Sequence, residues 1–366
     1  MTFSEKNCSL KEFISQINRK DNADLLYSVD IQKNIPIYDC TILRDKMTNP
    51  KFIQDLMAEL QSILLNGAGV FVFKQAFVDT TPIDKASDIF HKIITDERGT
   101  MRGEDHFAEA GKNDRIWNAL EKLCLRAPTI FAQYYANDMI ALAAEAWLGP
   151  AYQVTSQINV VRPGGGAQQP HCDYHLGFLT SARASSYPPH VHQLSHALTL
   201  QGAVAHCDMP VESGPTKLLP YSQNYADGYL AWRRNDFKQY FEDHYIQFPL
   251  NKGDAIFFNP GLFHAAGANS TKDVIRMANL LQISSVFGRS MEKIDRKKIG
   301  LALYPVLSNA LKTKLLSKSE ILNVIASSAE GYPFPTNLDI NPPANGLAPP
   351  SQQELMIKTL LPDSRF

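Results

Sequence analysis

Residues 152–175 read YQVTSQINVVRPGGGAQQPHCDYH, and they hold both the fold and the chemistry of the chain. Tyr152 to Val161 is rich in β-branched residues and alternates apolar with polar positions, as a strand does. Arg162-Pro-Gly-Gly-Gly166 then turns the chain. A phosphate cradle would need Lys-Ser or Lys-Thr after the glycines, and Gln168-Gln169-Pro170 stands there instead. Beyond the turn comes His171-Cys172-Asp173-Tyr174-His175. On extended chain, residues i and i+2 share a face, so His171 and Asp173 converge while Cys172 points away. His175 shares that face but lies about 13 Å along an extended strand, too far to reach an ion held at about 2 Å by His171.

Short strand-like runs continue outward from this stretch: Ala197 to His206, Tyr245 to Leu250, Ala255 to Asn259 and Arg276 to Phe287. Turn-rich segments such as Glu212-Ser-Gly-Pro215 and Asn251-Lys-Gly-Asp254 separate them. Many short strands without helices between them predict a mainly β fold with flanking α, a sandwich or jelly roll. Upstream, Asn49-Pro50 starts a helix whose apolar residues recur from Phe52 to Leu64, with a strand from Gly69 to Phe73 after it. A second helix is predicted from about Thr129 to Leu148, ended by Gly149-Pro150. Residues 1–300 are read as one domain, with a helical part (1–150) and a β core (151–290). Residues 301–366 are read as one amphipathic helix and a proline-rich extension. Eight of the 22 prolines fall in those last 66 residues, so the extension is expected to lie over the body or against a second copy as a homodimer contact.

A third ligand must come from elsewhere. Gly253-Asp-Ala-Ile-Phe-Phe-Asn-Pro-Gly-Leu-Phe-His264 is a β-rich run whose histidine emerges past a turn. Two imidazoles and one carboxylate leave three positions of an octahedral ion open, as non-haem iron(II) sites require. Arg276, twelve residues on, carries a guanidinium able to grip a carboxylate through two parallel hydrogen bonds. Gln157 and Asn159 alternate on the strand before the metal pair. They are read either as amide donors facing a cosubstrate or as outward-facing polar residues. Residues 179–196, with His190, His192 and His196, are expected to be a polar connection that covers the site rather than a second metal centre.

These motifs together resemble the phytanoyl-CoA dioxygenase family of 2-oxoglutarate-dependent oxygenases. The resemblance rests on His171-Cys-Asp173, the turn Glu212-Ser-Gly-Pro-Thr-Lys-Leu-Leu-Pro-Tyr-Ser222, the GDxxFFxPxxxH run ending at His264, and Arg276, over roughly residues 152–290. It implies a double-stranded β-helix (jelly-roll, cupin-like) core with an N-terminal helical layer. It further implies Fe(II) on His171, Asp173 and His264, 2-oxoglutarate as cosubstrate with its far carboxylate on Arg276, and O2, with ascorbate helping in vitro. The implied reaction hydroxylates or desaturates a small-molecule substrate and releases succinate and CO2. A halogenase would carry a small residue in place of Asp173. Many members have histidine where this chain has Gln223, and Arg289 is the second candidate for the carboxylate-binding arginine. The rival reading is a catalytically silent jelly-roll that binds a ligand.

Composition agrees with an enzyme of small molecules. Thirty-six Lys and Arg against 37 Asp and Glu leave a net charge of −1, so no global field attracts nucleic acid or an anionic membrane. The five cysteines are widely spaced and form no CxxC pair, which reads as reduced thiols in a cytoplasmic protein. The opening MTFSEKNCSLKEF lacks a cationic flank followed by an apolar run.

Overall fold

The computed structural model describes residues 4–18, 25–98 and 112–362. Among the described residues eleven strands form two sheets: β1 (Asp30–Gln32), β2 (Ile35–Asp39), β3 (Val70–Lys74), β4 (Asn113–Ile116), β5 (Gln153–Val161), β6 (Thr199–Ala205), β7 (Lys217–Leu219), β8 (Ile246–Gln247), β9 (Ala255–Phe258), β10 (Phe263–Ala265) and β11 (Arg276–Ser284). The larger sheet has the order β1-β2-β3-β9-β6-β11-β5-β4, and the smaller β10-β7-β8. Only β2 and β3 pair in parallel; the remaining neighbours are antiparallel.

All nine residues of β5 are buried, because both of its faces are covered. Val154, Ile158 and Val160 enter the main hydrophobic cluster with the helices, while Gln157 and Asn159 line a cavity on the other face. β11 alternates in step: Met277, Leu281 and Ile283 face the helices, and Arg276, Ala278, Leu280 and Gln282 face the cavity. Outward-facing polar residues are therefore ruled out for Gln157 and Asn159.

Helix Pro50–Leu65 forms as its sequence dictates. Asn49 Oδ1 accepts from the amides of Lys51 (3.0 Å) and Phe52 (3.4 Å), proline takes the first turn, and Phe52, Leu56, Leu60, Ile63 and Leu64 are buried. The helix stops at Leu65, and at Gly67, just past its cap, a Cβ would lie 2.9 Å from the Ile63 Cα. The helix expected over 129–148 is two helices, Pro128–Tyr135 and Asp138–Leu148. Asn137 breaks it: its Oδ1 caps the amides of Met139 and Ile140, and its Nδ2 donates to the Ala76 carbonyl at 2.7 Å.

Helix residues outnumber strand residues, so the mainly β expectation is corrected to a mixed fold. Four helices interrupt the β region itself: Ser181–Ala184, Pro189–Ala197, Gly228–Ala231 and Asn235–His244. The single C-terminal helix expected after Gly300 is likewise three, Arg296–Thr313, Lys318–Ser328 and Gln352–Leu360. Leu303, Leu307, Ile321, Val324 and Ile357 from these helices join the same cluster as Leu56 and Phe90. Ser317 with Glu320 and Ser351 with Glu354 each close a capping box at a helix start. Among the described residues all five cysteines are free, and no helix is long and apolar enough to cross a membrane.

Candidate metal centre

His171 and His264 face each other across a two-residue antiparallel bridge that extends the smaller sheet. The His171 amide donates to the His264 carbonyl at 2.9 Å, and the His264 amide returns the bond at 3.0 Å. Residues directly opposite in such a pair project to the same side, so the two imidazoles meet, their centroids 4.5 Å apart. Asp173 is fixed two residues on, where its amide donates to the Pro260 carbonyl at 3.0 Å. One ligand atom from each of His171, Asp173 and His264 lies within 4.8 Å of the others, and no other such group occurs among the described residues.

The tautomers follow from the hydrogen bonds. His171 Nδ1 lies 2.8 Å from the Gln169 carbonyl, and His264 Nδ1 lies 2.8 Å from the Leu262 carbonyl. A carbonyl only accepts, so each Nδ1 carries a proton, and Nε2 is the atom each ring turns toward the centre. Those Nε2 atoms lie 3.8 Å from Asp173 Oδ1 and 3.5 Å from Asp173 Oδ2. Burial raises the Asp173 pKa, but His171, His264 and a hydrogen bond from Gln201 together outweigh it and hold the carboxyl well below the usual range. Burial, and then the facing His264, push the His171 pKa below the ordinary imidazole value. A carboxylate and two imidazoles with their Nε2 atoms turned inward are a donor set that fits a divalent cation.

The centre opens on a cavity of about 560 Å³ walled by both sheets. Arg276 lines it, is 5% exposed, and has no ion pair with a carboxylate among the described residues. Its guanidinium reaches only neutral acceptors, the Ser213 and Gly267 carbonyls and Asn159 Oδ1, each at a long 3.4 Å. Burial pushes its pKa down to about 10, so it keeps its charge at neutral pH. Asn159 thus supports Arg276. Gln157 Oε1 accepts from Arg115 Nη1 at 2.8 Å, and its Nε2 turns toward Glu292 Oε1 at 3.5 Å. Arg289 does not line the cavity; its carbonyl accepts from Ser284 Oγ at 3.2 Å. Gln223 also lies elsewhere, donating to the Gly67 carbonyl at 2.9 Å.

The expected cover over 179–196 is not found. None of those residues lines the cavity, where Gly177 and Phe178 stand instead. Pro189 starts a helix, Ala184 joins a hydrophobic cluster, and the buried His192 lies 2.9 Å, through Nε2, from the Ala184 carbonyl. His175 stays outside the triad, though not because the strand runs straight. The chain turns at Tyr174 (φ 64°) and His175 (φ 38°), and His175 Nδ1 lies 3.3 Å from the Ser195 carbonyl.

Arg115, Gln201 and Gln282 line the cavity and went unforeseen. Gln201 and Gln282 stand opposite each other on β6 and β11, and Tyr174 Oη donates to Gln282 Oε1 at 2.5 Å. A glutamine alone in a buried run such as Thr199–Ala205 is the one signal the sequence offers for them.

With the site defined, comparison with known proteins places the chain. The family description "Phytanoyl-CoA dioxygenase (PhyH)" matches residues 47–278, and the chain belongs to that family. The match begins far upstream of the motif-bearing region, inside the helical half. Among solved structures the chain is similar to a non-heme alpha-ketoglutarate-dependent epimerase, SnoN from nogalamycin biosynthesis, at 18% identity and TM-score 0.44, covering 65% of this chain and 85% of that one. A non-heme alpha-ketoglutarate-dependent carbocyclase of the same biosynthesis, SnoK, matches at 16% identity and TM-score 0.45, over 76% of this chain and 93% of that one. EvdMO1 matches at 15% identity and TM-score 0.44, over 63% and 50%. Family membership and the His-Asp-His group together support iron and 2-oxoglutarate as cofactor and cosubstrate.

Proposed function

We propose that the chain is an Fe(II)- and 2-oxoglutarate-dependent dioxygenase that hydroxylates or desaturates a small molecule on a double-stranded β-helix core. One observation carries the reading: a His-Asp-His donor set and a buried arginine with no acidic partner among the described residues share one cavity. His171, Asp173 and His264 hold the metal, and three ligands on one side leave three positions for cosubstrate and dioxygen. Iron with 2-oxoglutarate and O2 supplies oxidation of a substrate carbon with release of succinate and CO2. The protein supplies the rest. Arg276 takes the far carboxylate of 2-oxoglutarate through its planar fork, and Asn159 holds that fork in place. The His171 and His264 Nδ1 protons stay on backbone carbonyls, which keeps both rings oriented.

The cavity falls within the range of small-molecule sites, and Phe178, Trp232 and Met291 give it apolar wall. Uncharged polar wall comes from Gln168 and Gln282. A small metabolite suits it. The test is succinate release from 2-oxoglutarate with Fe(II), ascorbate and a panel of small-molecule substrates. Substrate-stimulated succinate supports the reading. Iron binding without 2-oxoglutarate consumption under any substrate would instead identify a silent ligand-binding protein.

A further inference from the structure

Gln201 sits in the middle of β6, 3% exposed, between buried neighbours. Its Nε2 donates to Asp173 Oδ2 at 2.5 Å. The amide cannot be turned the other way round, since a carboxylate only accepts. Its other end, Oε1, is buried with no hydrogen-bond partner among the described residues. Burying an amide acceptor unpaired costs stability, so the side chain is not there to satisfy the sheet. Its one bond is to the carboxylate of the candidate metal site. Gln282, directly opposite on β11, makes the useful contrast: it lines the same cavity but bonds Tyr174 and does not touch Asp173.

We propose that Gln201 is a positioning residue that fixes the Asp173 carboxylate so that one oxygen, Oδ1, is offered to the metal. This rests on the metal site proposed above. The consequence is one of counting. A carboxylate that bound through both oxygens would take a third of the three open positions, leaving two where 2-oxoglutarate and dioxygen need three. By engaging Oδ2, the Gln201 amide holds the carboxylate plane and keeps the third position open. Ligand carboxylates held by an outer hydrogen bond commonly lose ten- to a hundredfold in metal affinity when that bond is removed.

The experiment uses Co(II), whose visible absorption reports its coordination, on the full chain without turnover. Gln201→Met keeps length and volume but donates nothing; Gln282→Met makes the same change across the strand pair. Co(II) affinity is expected to fall about ten- to a hundredfold in Gln201→Met, with a changed visible spectrum, and to stay at the parent value in Gln282→Met. Gln201→Asn, whose shorter stem cannot reach Asp173, should reproduce the loss in a polar wall and serves if the methionine variant fails to fold. Affinity within twofold of the parent in the folded Gln201 variants overturns the assignment, as does an equal loss in Gln282→Met. If the parent chain binds no Co(II), the metal centre itself falls and the role of Gln201 with it; parent binding with unaffected Gln201 variants removes the positioning role alone.

Discussion

Two buried polar clusters lie on opposite faces of the same strands, and they differ in one respect. On the helix side the cluster is closed around His206, whose Nδ1 lies 2.8 Å from Ser87 Oγ and whose Nε2 lies 2.9 Å from Tyr134 Oη. Asn279 Nδ2 continues it to Tyr134 at 3.1 Å and Tyr135 at 3.4 Å, and Tyr135 Oη reaches Ser156 Oγ at 3.1 Å. Only the Asn279 Oδ1 is left without a partner there. Burial pushes the His206 pKa down to about 3, so the ring is neutral and both its nitrogens are engaged. On the cavity side the two imidazoles each bond a backbone carbonyl through Nδ1 alone and turn Nε2 toward the centre, Gln201 Oε1 is unpartnered, and Arg276 has no counter-ion among the described residues. Satisfied polar groups rigidify a core; polar groups left open toward a cavity mark a site.

The largest effect should come from emptying the open cluster of its one carboxylate. Asp173→Ala removes both a ligand and the charge that draws a divalent cation between two imidazoles. Succinate release is expected to fall to background and metal content with it, while the far cluster keeps the protein folded. Wild-type turnover in this variant would end the triad assignment.

Next comes Arg276. Leaving a buried carboxylate without its guanidinium typically costs roughly 2 to 5 kcal/mol, which is about 30-fold to a few thousandfold in 2-oxoglutarate affinity. Arg276→Lys should recover part of this, since a point charge cannot reproduce the fork. Metal affinity should hold in both variants, because Arg276 is no ligand. Near-normal 2-oxoglutarate affinity in Arg276→Leu would move the role to another cation of the cavity.

The sequence carried this open cluster unevenly. His171 and Asp173 are two residues apart on extended chain, and His264 closes a recognisable run, so the triad could be read without the fold. Gln201 could not: its contact with Asp173, across 28 positions, exists only because the fold brings β6 of the larger sheet against the segment that follows the His171–His264 bridge. Arg115 reaches the cavity through the pairing of β4 with β5, which no local pattern announces. The C-terminal helices were a different failure. Ser317-Lys-Ser-Glu320 and Ser351-Gln-Gln-Glu354 are capping-box signatures in plain view, outweighed in the reading by the surrounding prolines. Asn137 hid its break because a capping asparagine inside an apolar helical pattern looks like one polar position among many.

The closed cluster supplies the third test. Tyr134→Phe leaves the ring of His206 without the partner at Nε2 and Asn279 without one of its acceptors. An unpaired buried group costs about 1 to 3 kcal/mol, so denaturant unfolding should show a loss in that range. Metal and 2-oxoglutarate affinities measured on the folded variant should be unchanged. A matching loss of metal affinity would mean that the two faces of the sheet are coupled and that the contrast between them fails.

The smallest effect concerns Glu292, where the open side meets the helices. Burial raises its pKa from 4.5 to about 7, opposed by hydrogen bonds from the Asn118 amide and Gln157 and by the charges of Lys122 and Arg115. Its Oε1 accepts from the Asn118 amide at 2.7 Å, while Oε2 is buried without a partner. The sign follows from which state binds the proton. Below pH 4.5 the side chain is protonated both folded and unfolded and contributes nothing to pH dependence. Between pH 4.5 and about 7 the unfolded chain ionises while the folded chain keeps its proton, so stability falls as pH rises, and above about 7 the penalty is constant. Allowing for the part of the group that water still reaches, that penalty is of order 1 to 2 kcal/mol. Glu292→Gln keeps the acceptor for Asn118 and cannot ionise. The variant should therefore match the parent in urea unfolding at pH 4 and exceed it at pH 8. Parallel stability curves for the two proteins from pH 4 to 8 would show that Glu292 ionises normally in the folded chain and that the helix-side edge of the cavity is as well solvated as its mouth.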